Sequence, residues 1–154
     1  MGRAPLTLLL AAIAMVAMGQ DGCETDGGGP NKEERAAEKA ERLAVEADAC
    51  GDQLAPLLDS LSELNSRLSV GVVFADYTTY VGDARIAYDK TPFQELSPTC
   101  INRWGLKAER AMNMYVQAGN EWSDCIGDIG CDVEALNLSE KWARAGRLAE
   151  QARP

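Results

Sequence analysis

The chain has 154 residues, with 15 Lys and Arg against 24 Asp and Glu and a net charge of −9. This length accommodates one domain. The acidic balance makes the chain a poor candidate for binding nucleic acid, which needs a concentrated positive field, or for adhering to anionic lipid through the domain surface. Histidine is absent, so the commonest general base, the usual catalytic triads and the commonest zinc ligand are missing.

The N-terminus has the pattern of a secretory signal peptide over residues 1–19. Arg3 gives a positive start, and a near-continuous apolar run follows (Leu6 to Met18). The run is too short to span a bilayer and suits the hydrophobic region of a signal peptide. Small residues close the segment at Gly19, as signal peptidase prefers. We therefore expect export; the alternative is an uncleaved N-terminal anchor.

Cys23 follows the apolar run in a Gly-Cys pair, and a polar, glycine-rich stretch comes after it. This order resembles the N-terminal signal of bacterial exported lipoproteins, which implies cleavage before Cys23 and attachment of lipid to its thiol. Gln20 and Asp21 depart from that signal, which has Leu and a small residue at these positions. The alternative is cleavage after Gly19, with Cys23 as a free or intermolecularly paired thiol. In both cases residues 20–31 form a flexible tether.

Apolar and small residues recur through the next stretch with gaps that alternate four and three. They are Ala36, Ala40, Leu43, Ala47, Cys50, Leu54, Leu57, Leu61, Leu64 and Leu68. This 3.5-residue period is that of a helix packed along its length on another helix. It predicts a first helix from about Lys32 to Ser69, with a kink or local break at Pro56.

The phase of the pattern changes beside Gly71, which predicts a turn and then a second helix. This helix covers about residues 72–89 and ends before Pro92. Pairs of β-branched residues in this stretch leave a strand as the alternative.

Two further helices follow. Ser97 and Pro98 have the residue types of an N-cap and a first helical position, so they predict the start of a third helix, which runs to about Cys125. The fourth helix is predicted to start at Cys131, with Asn137 as the alternative start.

Together these elements predict an all-α fold over residues 32–152: an antiparallel up-down four-helix bundle, or three long helices and a short one. An exported protein tends to pair its thiols, and four cysteines remain once the cysteine of the tether is set aside. The helix lengths place Cys50 level with the start of the third helix, which predicts a Cys50–Cys100 disulfide. A glycine-containing turn lets Cys125 reach Cys131, which predicts the second.

The same helix lengths leave residues 32–49 beyond the compact bundle. The seam of this part is formed by Ala36, Ala40, Leu43 and Ala47. We interpret it as a solvated stalk or as a site for a partner helix, which would bury little area on alanine. It could also dimerise, and the oligomeric state is not predicted.

Four acidic residues, Asp124, Asp128, Asp132 and Glu134, surround the predicted Cys125–Cys131 turn. Carboxylates on a loop can hold Ca²⁺, but their spacing does not match an EF-hand. We interpret Asp132 as the cap of the fourth helix and the others as solvated, so no metal site is predicted.

The tryptophans Trp104, Trp122 and Trp142 fall on predicted seams, which favours core packing over a ligand cage. No cofactor is predicted. Our leading hypothesis is a non-enzymatic, exported protein of the cell envelope, tethered through Cys23, that binds another envelope protein.

Two alternatives remain. A soluble secreted carrier would hold a small apolar ligand between its helices, in a cavity near Tyr77, Tyr80, Tyr115 and the tryptophans. An enzyme would gather several strongly perturbed acids in one cleft.

Overall fold

The computed structural model describes residues 31–154. In this part of the chain there are four helices and no strand, which confirms the predicted all-α class. The helices are α1 (Lys32–Ser69), α2 (Phe74–Lys90), the composite α3 (Pro98–Cys100, Ile101–Gly105 and Leu106–Gly127) and α4 (Leu138–Gln151). The predicted signal peptide at 1–19, Cys23 and all of the tether except Asn31 lie outside the described residues.

Helix α1 has the predicted bounds. Its start is fixed by Asn31, whose side chain accepts hydrogen bonds from the backbone of Glu33 and Glu34 at 2.9 Å. The Glu34 carboxylate in turn accepts from the Asn31 backbone at 2.9 Å, which completes a capping box. The seam is buried from its middle onward, at Cys50, Leu54, Leu57, Leu61, Leu64 and Leu68.

Of the kink or local break predicted at Pro56, the break does not occur, because α1 is one continuous helix through this residue. Proline removes one backbone hydrogen bond and crowds the preceding turn. Leu54 and Leu57 on either side are fully buried. We attribute the continuity to this packing, which outweighs the loss of a single hydrogen bond.

The turn predicted beside Gly71 is present, and Gly71 has a φ of 92°, a conformation that glycine adopts without steric cost. The following helix starts at Phe74 rather than 72, because Val73 is extended and acts as the N-cap. The alternative of a strand over 72–89 is wrong. The buried residues of α2 are Tyr77 and Ala84, which lie seven residues apart. This spacing of two helical turns puts both on one face of a helix.

Helix α3 begins as predicted. The Ser97 hydroxyl accepts a hydrogen bond from the Cys100 backbone at 3.0 Å, and Pro98 occupies the first turn. A π-helical segment, Ile101–Gly105, then interrupts the α-helix. Nothing in the sequence pattern predicted this segment.

The predicted start of the fourth helix at Cys131 is wrong, and the alternative at Asn137 is right. Asn137 has a φ of 50°, in the left-handed region, so a helix cannot run through it. Asp132 therefore does not cap α4. Its carboxylate instead accepts from the backbone of Glu134 at 2.9 Å, at a 3₁₀ turn (Glu134–Leu136) that precedes α4.

Two hydrogen bonds donated by the buried residues Tyr77 and Tyr115 join α1, α2 and α3 in the interior. The Tyr77 hydroxyl donates to the backbone oxygen of Tyr115 at 2.6 Å, and the Tyr115 hydroxyl donates to Asn65 Oδ1 at 3.3 Å. Helix α4 approaches the same place, since a Cβ at Gly146 would lie 2.5 Å from Asn65 Oδ1. Among residues 31–154 no helix is both long and apolar enough to cross a membrane.

Candidate functional site

The first part of α1 is the most exposed helical segment of the described chain. Every residue from 31 to 42 is exposed, and the first buried residue is Cys50. Of the predicted partner-facing seam, Ala36 and Ala40 are exposed, whereas Leu43 and Ala47 are half-buried. Within residues 31–154 no other helix therefore covers the first half of this seam.

A short set of contacts fixes α1 where it enters the core. The Ser97 hydroxyl donates to the Glu46 carboxylate while it caps α3, so one side chain ties the two helices together. One turn further along α1, Cys50 is joined to Cys100, with 5.6 Å between the Cα atoms. Both sulfur-bearing residues are buried, which places this covalent link inside the packed region.

A groove of about 590 Å³ lies at this junction. Its charged lining consists of Arg35, Glu38, Lys39, Arg42, Glu46 and Arg103, and the rest is Leu43 and Thr99. Four of these groups are cationic and two are anionic, and Glu46 already accepts from Ser97. On an acidic protein this groove is a local positive site, suited to a carboxylate or phosphate of a partner.

The second pair, Cys125 and Cys131, has a Cα–Cα distance of 5.2 Å and closes the loop that follows α3. The acidic side chains around this loop do not come together into one site. Among residues 31–154 no group of three or more His, Cys, Asp or Glu residues could hold a metal ion.

Exposed aliphatic side chains, which the sequence analysis did not single out, lie near this loop and near the α1–α2 turn. They are Val70, Val73, Ile126, Ile129 and Val133. The Phe74 and Trp122 rings, 5.4 Å apart, bring the start of α2 beside the end of α3. In the sequence, the only indication that these side chains would be exposed was their position in turns, where apolar side chains have few neighbours.

The aromatic residues considered for a ligand cage pack against one another. The Tyr77 ring lies 5.6 Å from Trp122 and 5.4 Å from Trp142, and the two indoles are 5.9 Å apart. Tyr80 is half-buried against the core, and the Arg67 guanidinium lies 4.3 Å from the centre of its ring. The rings thus occupy the region in which a carrier would need its cavity, which argues against that alternative.

Shifted pKa values occur at separate places. Burial raises the pKa of Tyr77 to about 12, and burial, followed by the charge of Tyr77, raises the pKa of Tyr115. At the surface, the hydrogen bond from Lys141 and then that from Gln117 lower the pKa of Glu121. The tyrosines lie in the packed core, so they have the character of structural groups, not of an acid–base pair in a cleft.

No family model, curated protein or solved structure matches this chain.

Proposed function

We propose that this protein is a non-enzymatic, exported component of the cell envelope, tethered to a membrane by lipid on Cys23, whose helical bundle binds another envelope protein. The main support is the state of the cysteines. Every cysteine among the described residues is in a disulfide. Disulfides persist in oxidising compartments outside the cytoplasm, and this pairing leaves Cys23 as the one cysteine for another role.

The proposal includes an antiparallel up-down arrangement of the four helices. Three contacts support it. Arg153, just after α4, lies 3.3 Å from Asp59 in the middle of α1. Lys107, in the first half of α3, donates to the backbone oxygen of Gln151 at the end of α4. The start of α2 lies beside the end of α3 through the Phe74 and Trp122 rings.

In this arrangement the first part of α1 extends beyond the other helices, between the tether and the bundle. Residues 31–42 would give a rod of about 18 Å at the helical rise of about 1.5 Å per residue. Its exposed alanine seam, Ala36 and Ala40, and the positive groove at its base are the surfaces that we assign to the partner. Alanine buries little area, so the charged groups of the groove would supply most of the specificity.

The tether is tested by changing Cys23 to Ser. In the native host we expect the unchanged protein in the membrane fraction and the C23S variant in the soluble fraction. The variant lacks the acyl chain, which contributes about 0.8 kcal/mol of membrane-binding free energy per buried CH₂ group. Fractionation followed by immunoblotting measures the distribution.

A Thr25→Ser variant is the matched control, since it alters the same segment and keeps the thiol. It should fractionate like the unchanged protein. Equal distribution of the C23S variant and the unchanged protein between the two fractions would remove the tether from the proposal.

A further inference from the structure

A second groove, between α3 and α4, carries a concentration of unpaired arginines. Its volume is about 560 Å³, and Arg110 of α3 faces Arg144 and Arg147 of α4 across it. Met114 and Leu148, both half-buried, also line it, and the remaining lining residues carry side-chain amides. No acidic residue lines this groove.

The three arginines make no ion pair within residues 31–154. The ion pairs there use Arg67, Arg85, Lys141 and Arg153 instead. Three unpaired cations beside one another repel, and on a chain with a net charge of −9 the same surface attracts anions. Guanidinium groups bind carboxylates through two parallel hydrogen bonds, which a lysine cannot do.

The groove is part of a longer trough along α4. One neighbouring depression shares Met114 and Arg144 with it and extends towards Asn137. That depression also carries Glu140 and Lys141, so the lining of the whole trough has four cationic groups and one anionic group. From Asn137 to Gln151 the trough is about 21 Å long at the helical rise, which matches three to four turns of a helix laid along it.

We infer that this trough binds an acidic, amphipathic helical segment of a partner protein. Its carboxylates would pair with Arg110, Arg144 and Arg147, and its apolar residues would cover Met114 and Leu148. A single phosphate would leave the apolar residues unused, and a flat bilayer surface would not enter a trough between two helices. The inference goes beyond the proposed function, because it requires neither the lipid on Cys23 nor the exposed part of α1.

The test uses a fluorescent peptide of about sixteen residues, built from Glu, Leu and Ala so that one helical face is acidic and one is apolar. Its binding to the full chain is measured by fluorescence anisotropy. The triple variant R110Q/R144Q/R147Q is expected to raise the Kd at least about tenfold, since it removes all three charge-assisted contacts to the carboxylates of the peptide.

The matched control is R67Q/R85Q/K90Q, which removes three exposed positive charges from α1 and α2, none of which lines the trough. It should change the Kd less than about threefold, because screening weakens attraction beyond about 10 Å. The arginines of the trough are exposed, so both variants should keep the circular dichroism spectrum and the Tm of the unchanged protein.

Three results would overturn the inference: equal loss of peptide binding in both variants, no binding of the peptide at millimolar concentration, or equal binding of a peptide with Lys in place of Glu. Two others would assign the trough to another occupant and also overturn it. These are preferential binding to phosphatidylglycerol vesicles over the peptide, and self-association that the R110Q/R144Q/R147Q variant abolishes. None of these results bears on the distribution of the C23S variant.

Discussion

A C50A/C100A double variant is expected to lose about 4 kcal/mol of its free energy of unfolding. The bond closes a loop of 50 residues, and in the chain-entropy model a loop of that length restricts the unfolded chain by about this amount. Both positions are 1% exposed, so alanine keeps them apolar and leaves only small cavities. Urea unfolding followed by circular dichroism, with linear extrapolation to water, measures the difference.

A C125A/C131A double variant is the matched control. That bond has a sequence separation of only 6 residues, so the same model gives about 2 kcal/mol. Both variants keep Cys23, so they differ only in the bond removed. Equal losses, or a larger loss in the control, would contradict the assignment of Cys50–Cys100 as the main covalent link between α1 and α3.

Stability is expected to fall steeply above pH 10. The folded-state pKa of Tyr77 is raised to about 12 and that of Tyr115 is raised as well, both mainly by burial. A phenol with a raised pKa stays protonated when folded, whereas its unfolded form ionises near pH 10. Above that pH the unfolded state binds fewer protons, so the free energy of unfolding decreases with pH. The stabilisation from these two buried phenols is fully present below pH 10 and is lost as the pH rises through their folded-state pKa values.

The expected size is roughly 2 kcal/mol from Tyr77 by pH 12, at about 1.4 kcal/mol per pKa unit, with a further loss from Tyr115. Urea unfolding at a series of pH values measures it. Tyr115→Phe should flatten the decline, because it removes one ionising group and keeps the backbone oxygen to which Tyr77 donates. Tyr77→Phe should flatten it too, at the cost of about 1 kcal/mol at neutral pH for the lost hydrogen bond. A decline of unchanged slope in both variants would show that other groups cause it.

The core of α1 could be predicted because its burial follows from spacing alone. Cys50, Leu54 and Leu57 repeat at helical intervals, and every seam position from Cys50 to Leu68 is buried. The length of the helices then decided which cysteines could meet, and the structure places Cys50 beside Cys100.

The start of α4 was less predictable because it depends on backbone geometry at single residues. Cys131 continues the apolar spacing of the fourth helix, but it is held to Cys125 in a loop. Asn137 then interrupts the chain with its left-handed conformation. Spacing does not encode either constraint.

The trough could not be predicted, since it forms only when two helices meet. Arg144 and Arg147 lie one turn apart on one helix, whereas Arg110 lies 34 residues before Arg144 in the sequence. Gly146 is a glycine inside a helical pattern, which indicates a packing or functional role for that position. The reason for the glycine is the close approach of Asn65, which is visible only in the structure.

Export and lipid attachment are best tested by the mass of the mature protein purified from its native host, because the mass reports the cleavage site, any lipid and the number of oxidised thiols together. We predict a chain that begins at Cys23, carries acyl groups on that residue, and has Cys50, Cys100, Cys125 and Cys131 oxidised. A protein that still begins at Met1, with an unmodified Cys23 and free thiols, would contradict this prediction.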